Sequence, residues 1–430
     1  MSGMIDGYTY MPISAEETGP ASSTNPQTLK SVSLFTGAGG LDVGLEAAGF
    51  SCSLCVENDT DALATLSSNK AWPHAEPGDI HLLSPESILE QSGLAVGEVS
   101  LLAGGPPCQP FSKAAYWSNR GVKGMDDPRA RTIEAYVDVV GAVLPEAILL
   151  ENVAGIANRK TGHGAYEAFC AGLTEINRTR GCNYEPQVIH VNAADYGIPQ
   201  HRHRVFIFAS RVGESINLPN TTHGNMDGLH PFATAWDAIG DLDDLHWSKE
   251  LELKGKWAEL VSTIPEGKNY LWHTPRGGGE SLFGWRTRFW SFLLKLSKKQ
   301  PSWTIPASPG PATGPFHWRN RLLSVRELAR LQTFPDSYVF PPERRLAQKQ
   351  IGNAVPCALG ELLGLTIRRE LFGERHLRIY PSMIPASRGK APRAHPRRKV
   401  PERFMSLVDS HLDHPGTGKG PGKSWAVQSD

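Results

Sequence analysis

The apolar run Ser31-Val32-Ser33-Leu34-Phe35 breaks directly into Gly37-Ala38-Gly39-Gly40, and Leu41, Leu45 and Ala48 then recur at helical spacing as far as Gly49. Strand, glycine turn and helix in that order open a nucleotide-binding α/β fold. A second apolar run, Phe50 to Val56, delivers Glu57 roughly 20 residues after the glycines, where such folds place an acid on ribose hydroxyls. The glycines do not fit G-x-G-x-x-G, which weakens a nicotinamide reading.

Two further strands end on chemistry. Val99-Ser100-Leu101-Leu102-Ala103 runs into Gly104-Gly105-Pro106-Pro107-Cys108-Gln109-Pro110, a turn stiffened by prolines that fix φ and remove donors. Cys108 is thereby presented at a strand's carboxyl end, where ligands bind in α/β sheets, and not packed as a buried hydrophobe. Asp127-Pro128 starts a helix with Ile133, Tyr136, Val137, Val140 and Leu144 on one face, and Pro145 stops it. The strand Ala147-Ile148-Leu149-Leu150 follows and carries Glu151 to the same sheet edge as Cys108; a carboxylate placed directly after four apolar residues is a site candidate. In Gln200 to Arg204 the alternation puts Gln200, Arg202 and Arg204 on one face and His201 and His203 on the other, leading into the strand Val205–Phe208.

A chain of 430 residues with 40% hydrophobic content holds two or three domains. Its 44 Lys and Arg balance 44 Asp and Glu, so attraction to a polyanion requires segregated charge. Segregation exists in the tail: nine Lys or Arg and one acid, Glu402, lie between Arg375 and Arg403. Six irregularly spaced cysteines indicate a reducing compartment, and Cys52 and Cys55 read as strand packing, with no metal site expected. Residues 1–30 are polar without the apolar core of a signal peptide, and no run approaches a membrane span, so a cytoplasmic protein is expected.

These residues, taken in order with Gly78-Asp79-Ile80, Glu151-Asn152-Val153, Arg326-Glu327-Leu328-Ala329-Arg330-Leu331-Gln332 and Gln350-Ile351-Gly352-Asn353-Ala354-Val355-Pro356, resemble the motif series of the DNA (cytosine-5) methyltransferases. The likeness covers roughly 31–209 and 322–370. It implies a Rossmann-like S-adenosylmethionine-dependent methyltransferase fold with a smaller inserted target recognition domain. The expected divisions are 1–30, a disordered extension; 31–210, catalytic and cofactor-binding; 211–322, target recognition; 323–372, the return to the catalytic domain; and 373–430, a basic disordered tail. The resemblance makes Cys108 the nucleophile and places Glu151, at least partly protonated, at ring nitrogen 3 of cytosine, with Arg204 and Arg202 at oxygen 2. It assigns Phe35, Gly37, Gly39 and Gly40 to the cofactor pocket, Glu57 to the ribose, Asp79 and Ile80 to the adenine, and Pro107 and Asn353 to the methionine end. Thr132 stands where the family often has leucine.

The implied reaction is methyl transfer from S-adenosylmethionine to carbon 5 of cytosine in a short duplex DNA sequence, through a covalent Cys108 adduct on a flipped-out base. The loop Phe111 to Asp127 would be the lid. Without room for an N-terminal regulatory domain, a monomeric bacterial or phage enzyme is expected, associated with the nucleoid and protecting DNA from a cognate restriction endonuclease. Arg276, Arg286 and Arg288, set among glycines and aromatics, are the candidate base contacts, while Phe289, Phe292, Leu293 and Leu296 have helical spacing that reads as core. Two alternatives stay open: the same chemistry on transfer RNA, and a catalytically inactive DNA-binding protein.

Overall fold

In the computed structural model, which describes residues 28–107, 131–153, 164–243, 249–284, 290–408 and 410, six strands form one sheet. β1 (Leu29–Leu34), β2 (Phe50–Val56), β3 (Leu101–Gly104) and β4 (Ala147–Asn152) run parallel in the order β2-β1-β3-β4. β7 (His203–Ser210) pairs antiparallel with β4, and β5 (Gln187–Asn192) lies antiparallel beyond it. Parallel strands covered on both faces need continuous apolar runs, and Ala147 to Leu150 are all 0% exposed.

Alternate residues of each strand face different cores. Leu34, Leu102, Ile148 and Leu150 pack with α3 (Pro85–Ser92), α4 (Arg131–Val143) and α5 (Ala165–Arg180). Leu101, Ala103, Leu149 and Phe208 pack with α1 (Gly40–Ala47) and α9 (Cys357–Glu370). The crossing of α1 and α9 is close: a Cβ on Gly44 would lie 2.1 Å from the Cys357 carbonyl oxygen, and one on Gly360 2.5 Å from that of Leu41. Only glycine allows the backbones to touch in this way. The chain beyond residue 322 therefore completes the sheet's second face.

Cys52 and Cys55 sit in β2 with their sulfurs 3.4 Å apart, and the hydrogen bond from Cys52, followed by burial, pushes the Cys55 thiol far up. β6 (Gln200–His201) pairs with β8 (Ser302–Trp303), so the expected single strand from Gln200 is broken at Arg202.

Between 211 and 322 lie mostly turns and short helices around a separate core of Leu260, Val261, Ile264, Tyr270, Phe283, Phe292 and Phe316. Phe292, Leu293 and Leu296 are buried as expected, but the segment is not helical: Leu293 has φ 53°, and Phe292 and Lys295 form isolated bridges to Thr313 and Phe316. Helical spacing identified burial without identifying backbone.

The expectation of a disordered tail is corrected for residues 373–408. The amides of Ser382 and Met383 donate to the Glu361 carboxylate at 2.8 and 3.1 Å, and that of Arg388 donates to Asp237 Oδ1 at 2.8 Å. Further on, Phe404 is 3% exposed within the inserted domain's core and stacks on Trp257 at 5.8 Å. A Pro-rich, basic composition suggests disorder when no apolar surface is buried, and one buried aromatic with carboxylate-capped amides reverses that expectation here.

Candidate active site

β1, β3 and β4 all end at the carboxyl edge of the sheet, where a cavity of about 320 Å³ opens. The glycine turn forms one wall. Phe35 takes φ 56°, a left-handed conformation that non-glycine residues adopt at a cost, and Gly37 and Gly39 follow at 58° and 71°. A Cβ on Gly39 would fall 2.8 Å from Leu66, and one on Gly40 2.4 Å from the Val355 carbonyl oxygen. The turn is thus wedged between α2 (Thr60–Asn69) and the segment before α9.

Glu57 is fixed from two sides. Its Oε2 accepts from the Gly37 amide and its Oε1 from the Asp59 amide, both at 2.7 Å. Asp59 in turn caps α2, accepting from the amides of Asp61 and Ala62, and pairs with Lys349 at 2.7 Å. That hydrogen bond from Lys349 holds the Asp59 carboxyl below the usual range. Gln350 clasps the same helix, accepting from Thr65 Oγ1 at 2.9 Å and donating to the Asp61 carbonyl at 2.9 Å. α8 (Arg344–Asn353) therefore closes the cavity against α2, with Asn353 in the lining.

The opposite wall belongs to chemistry of another kind. Glu151, next to last in β4, forms an ion pair with Arg204 of β7, Oε1 to Nε 2.7 Å, with both side chains mostly buried. A Cβ on Gly105 would stand 3.2 Å from Glu151 Oε2, so glycine there leaves the carboxylate room. Asn152, fully buried, donates from Nδ2 to the Pro106 carbonyl at 3.2 Å and so ties β4 to the proline turn. Pro107 reaches the cavity wall, while Cys108 and the lid Phe111 to Asp127 lie outside the described residues.

The cavity gathers Phe35, Gly37, Gly40, Glu57, Pro107, Glu151 and Asn353 from the sequence candidates. Gly39 supports the turn from behind, as the residue preceding α1. Asp79 and Ile80 are not in the wall: Ile80 is 7% exposed in the core, and Asp79 Oδ1 accepts from the His81 amide at 2.9 Å. They pass close to it, since a Cβ on Gly78 would meet the Glu57 carbonyl oxygen at 2.1 Å. Arg202 departs furthest from its expected place. Fully buried, it donates to the carbonyls of Gly352 and Ala354 at 2.9 and 2.8 Å and holds the end of α8. Gln332 joins this tie, donating to the Ile351 carbonyl at 2.6 Å. Of the inserted arginines, Arg276 is exposed on its glycine turn, and Arg286 and Arg288 lie outside the described residues.

Asp42 and Lys349 were not singled out from sequence, and Asn152 and Gln350 entered only as members of motifs, without a role. Asp42 lines the cavity from α1 at 4% exposure, its Oδ1 without a hydrogen-bond partner. Burial pushes its carboxyl up to about 6 despite a hydrogen bond from Ser33. The signal was available: an acid two residues past a glycine turn, on the face that Leu41 and Leu45 bury.

Residues 29–369 match the family described as C-5 cytosine-specific DNA methylase. The Type II methyltransferase M.SacI of Streptomyces achromogenes is 38% identical over 79% of this chain and 93% of its own length. M.NgoFVII of Neisseria gonorrhoeae is 31% identical over 78% of this chain and 84% of its own. An E. coli prophage protein described as a DNA modification methyltransferase superposes with a TM-score of 0.55 at 25% identity, covering 80% of this chain and 99% of that one. A DNMT2 of Spodoptera frugiperda shares the fold, with a TM-score of 0.54 at 15% identity. With its motif series, its doubly wound sheet and a family match spanning most of its length, the chain belongs to the C-5 cytosine-specific DNA methylases.

Proposed function

We propose that this enzyme methylates carbon 5 of cytosine in duplex DNA by a covalent route in which Cys108 is the nucleophile. Carbon 5 is too weak a nucleophile to attack a methyl donor until a thiolate has added at carbon 6 and made the ring an enamine. The reading is carried by the Glu151–Arg204 pair at the rim of the cavity, directly across from Gly105 and the proline turn that leads to Cys108. Charge that develops toward nitrogen 3 and oxygen 2 then meets one group that exchanges a proton, Glu151, and one fixed cation, Arg204. Glu151 is held in an ion pair, so the incoming base must take over part of Arg204's role as its partner. Arg202 contributes by positioning the end of α8.

Members of this family use S-adenosylmethionine, which supplies the methyl group. The residues present fit it. Glu57, its two oxygens anchored by backbone amides, is oriented for a pair of ribose hydroxyls. Phe35, Gly37, Gly39 and Gly40 shape the cradle, Asp79 and Ile80 support its adenine end, and Pro107 and Asn353 border the methionine end. The unpartnered Asp42 Oδ1 is the acceptor for the methionine ammonium, since a buried carboxylate oxygen without a donor is costly until one arrives.

Residues 211–322 set the recognised sequence, with Arg276, Arg286 and Arg288 as candidate contacts. Relatives that are Type II methyltransferases support an enzyme that protects DNA from a restriction endonuclease, and we take it to be monomeric and cytoplasmic. The DNA methylase family match, over residues 29–369, also favours DNA over transfer RNA. The test is trapping: duplex DNA carrying 5-fluorocytosine should form an adduct with the wild type and none with Cys108→Ala, while both bind S-adenosylhomocysteine. An adduct retained in Cys108→Ala overturns the assignment of the nucleophile.

A further inference from the structure

Residues 375–401, beyond α9, carry eight Lys or Arg and no acid, and the structure gives them a fixed course. Arg388 is the first anchor: its amide and Nε donate to Asp237 at 2.8 Å, and its guanidinium pairs with Asp241 at 2.9 Å. The second anchor is Phe404, buried against Trp257, with Arg403 paired to Glu259 at 3.0 Å. Between them, as far as Pro401, the chain runs without helix or strand along the inserted domain. Arg398 donates its amide to the Ser262 carbonyl at 3.0 Å, and the Arg393 carbonyl accepts from Lys298 Nζ at 3.5 Å. The Arg397 guanidinium lies 4.7 Å over the ring of Trp272.

Trp272 is the post around which the glycine turn of Arg276 is wound. A Cβ on Gly278 would meet its ring at 2.5 Å, and one on Gly279 its Nε1 at the same distance. The strap thus stacks on the residue that shapes the exposed turn carrying a candidate base contact.

Lys390, Arg393, Arg398 and Lys399 are all exposed, and none of them has an ion-pair partner among the described residues. Four acids beside the strap are already engaged: Asp237 and Asp241 hold Arg388, Glu266 holds Lys298 at 2.6 Å, and Glu259 holds Arg403. A protein of zero net charge has to concentrate positive potential where a polyanion is to lie. Ten extended residues reach at most about 35 Å, comparable to one turn of duplex, which presents a phosphate charge every ~1.7 Å of axis.

We infer that residues 390–399 are a phosphate-binding strap, docked on the inserted domain so that Lys390, Arg393, Arg398 and Lys399 grip the DNA backbone beside the glycine turn. Phosphate contacts of this kind fix register and orientation and carry no sequence information, so the strap serves affinity, while the turn it braces serves recognition. The inference rests on the proposed DNA substrate.

It is tested on the full chain with the triple variant Arg393→Gln, Arg398→Gln, Lys399→Gln and a mixed-sequence DNA duplex as probe. Each lost phosphate contact lowers the slope of log affinity against log salt by about 0.9, so the slope should become shallower by roughly 2.7. S-adenosylhomocysteine affinity and the sequence methylated in a host lacking cytosine methylation should stay the same. A slope equal to that of the wild type overturns the strap and leaves the DNA reading standing. A changed methylated sequence overturns the division between grip and recognition. Wild-type protein that shows no salt-dependent binding to duplex DNA overturns the substrate itself, and the strap with it.

Discussion

Replacing Asp42 by asparagine should make the ligand-free protein more stable and its cofactor complex weaker. Asp42 is 4% exposed, and burial raises its carboxyl from 3.8 to about 6. Between those values the folded protein keeps a proton that the unfolded chain has released, so stability falls as pH rises through the window. At 1.36 kcal/mol per pH unit the loss reaches about 3 kcal/mol and is fully present above pH ~6. Asp42→Asn removes the charge and with it this penalty. At about 1 °C per kcal/mol for a chain of this size, the variant should melt roughly 3 °C above the wild type at pH 8. The gap should shrink toward pH 4, where the folded carboxyl is protonated and the unfolded one is close to its own midpoint of 3.8. The proposed ammonium contact makes the opposite demand: titration calorimetry at pH 8 should show S-adenosylhomocysteine binding more weakly to the variant, by roughly tenfold for one charge-assisted hydrogen bond. An analogue lacking the amino group should bind both proteins alike. A melting difference that is the same at pH 4 and pH 8 would refute the burial argument, and equal loss for both ligands would refute the ammonium contact.

Glu327→Gln should destabilise the fold by about 3–5 kcal/mol, because Arg321, 1% exposed and paired with Glu327 at 2.6 and 2.7 Å, would be left as a buried charge without its partner. Burial works against the Glu327 carboxylate, yet hydrogen bonds from Arg321 outweigh it and bring the carboxyl down to about 2, so wild-type stability is complete above pH ~4.5 and drains away as pH falls toward 2. Urea midpoints across that range check both statements, and a loss under 1 kcal/mol at pH 7 contradicts them. Asn152→Ala should leave S-adenosylhomocysteine binding in place and reduce kcat, since the Pro106 carbonyl would lose the donor that ties the proline turn to β4. Unchanged single-turnover rates would show that the turn holds its position unaided.

What the sequence disclosed depended on whether a motif residue faces the cavity or the frame around it. Phe35, Gly37, Glu57 and Glu151 were legible because each ends an apolar run at one sheet edge, and strand direction alone brings such positions together. Arg202, which the resemblance places with Arg204 at oxygen 2, has its guanidinium on the carbonyls that end α8. Its motif and period-2 alternation put it beside Arg204, but alternation gives only a face, and the carbonyls of Gly352 and Ala354 that claim its guanidinium lie 150 and 152 residues away. The Arg326–Gln332 motif behaves alike. Glu327 closes a capping box with Ser324 while pairing Arg321, and Arg330 reaches Asp241 and Asp336, both at 2.6 Å. Those partners are set by tertiary packing and leave no local signature.

The tail shows where composition misleads. Its prolines and cations cannot bury themselves, which is the usual criterion for disorder. The missing term is what the rest of the molecule offers: the inserted domain, built from turns around a small core, leaves Trp257 and Trp272 without full cover, and Phe404 and Arg397 fill those places. A segment that is disordered alone can therefore be part of a domain that would be incomplete without it. Swapping residues 211–322 alone between relatives would separate this core from its own strap, so a transferable recognition unit has to carry residues 390–408 as well.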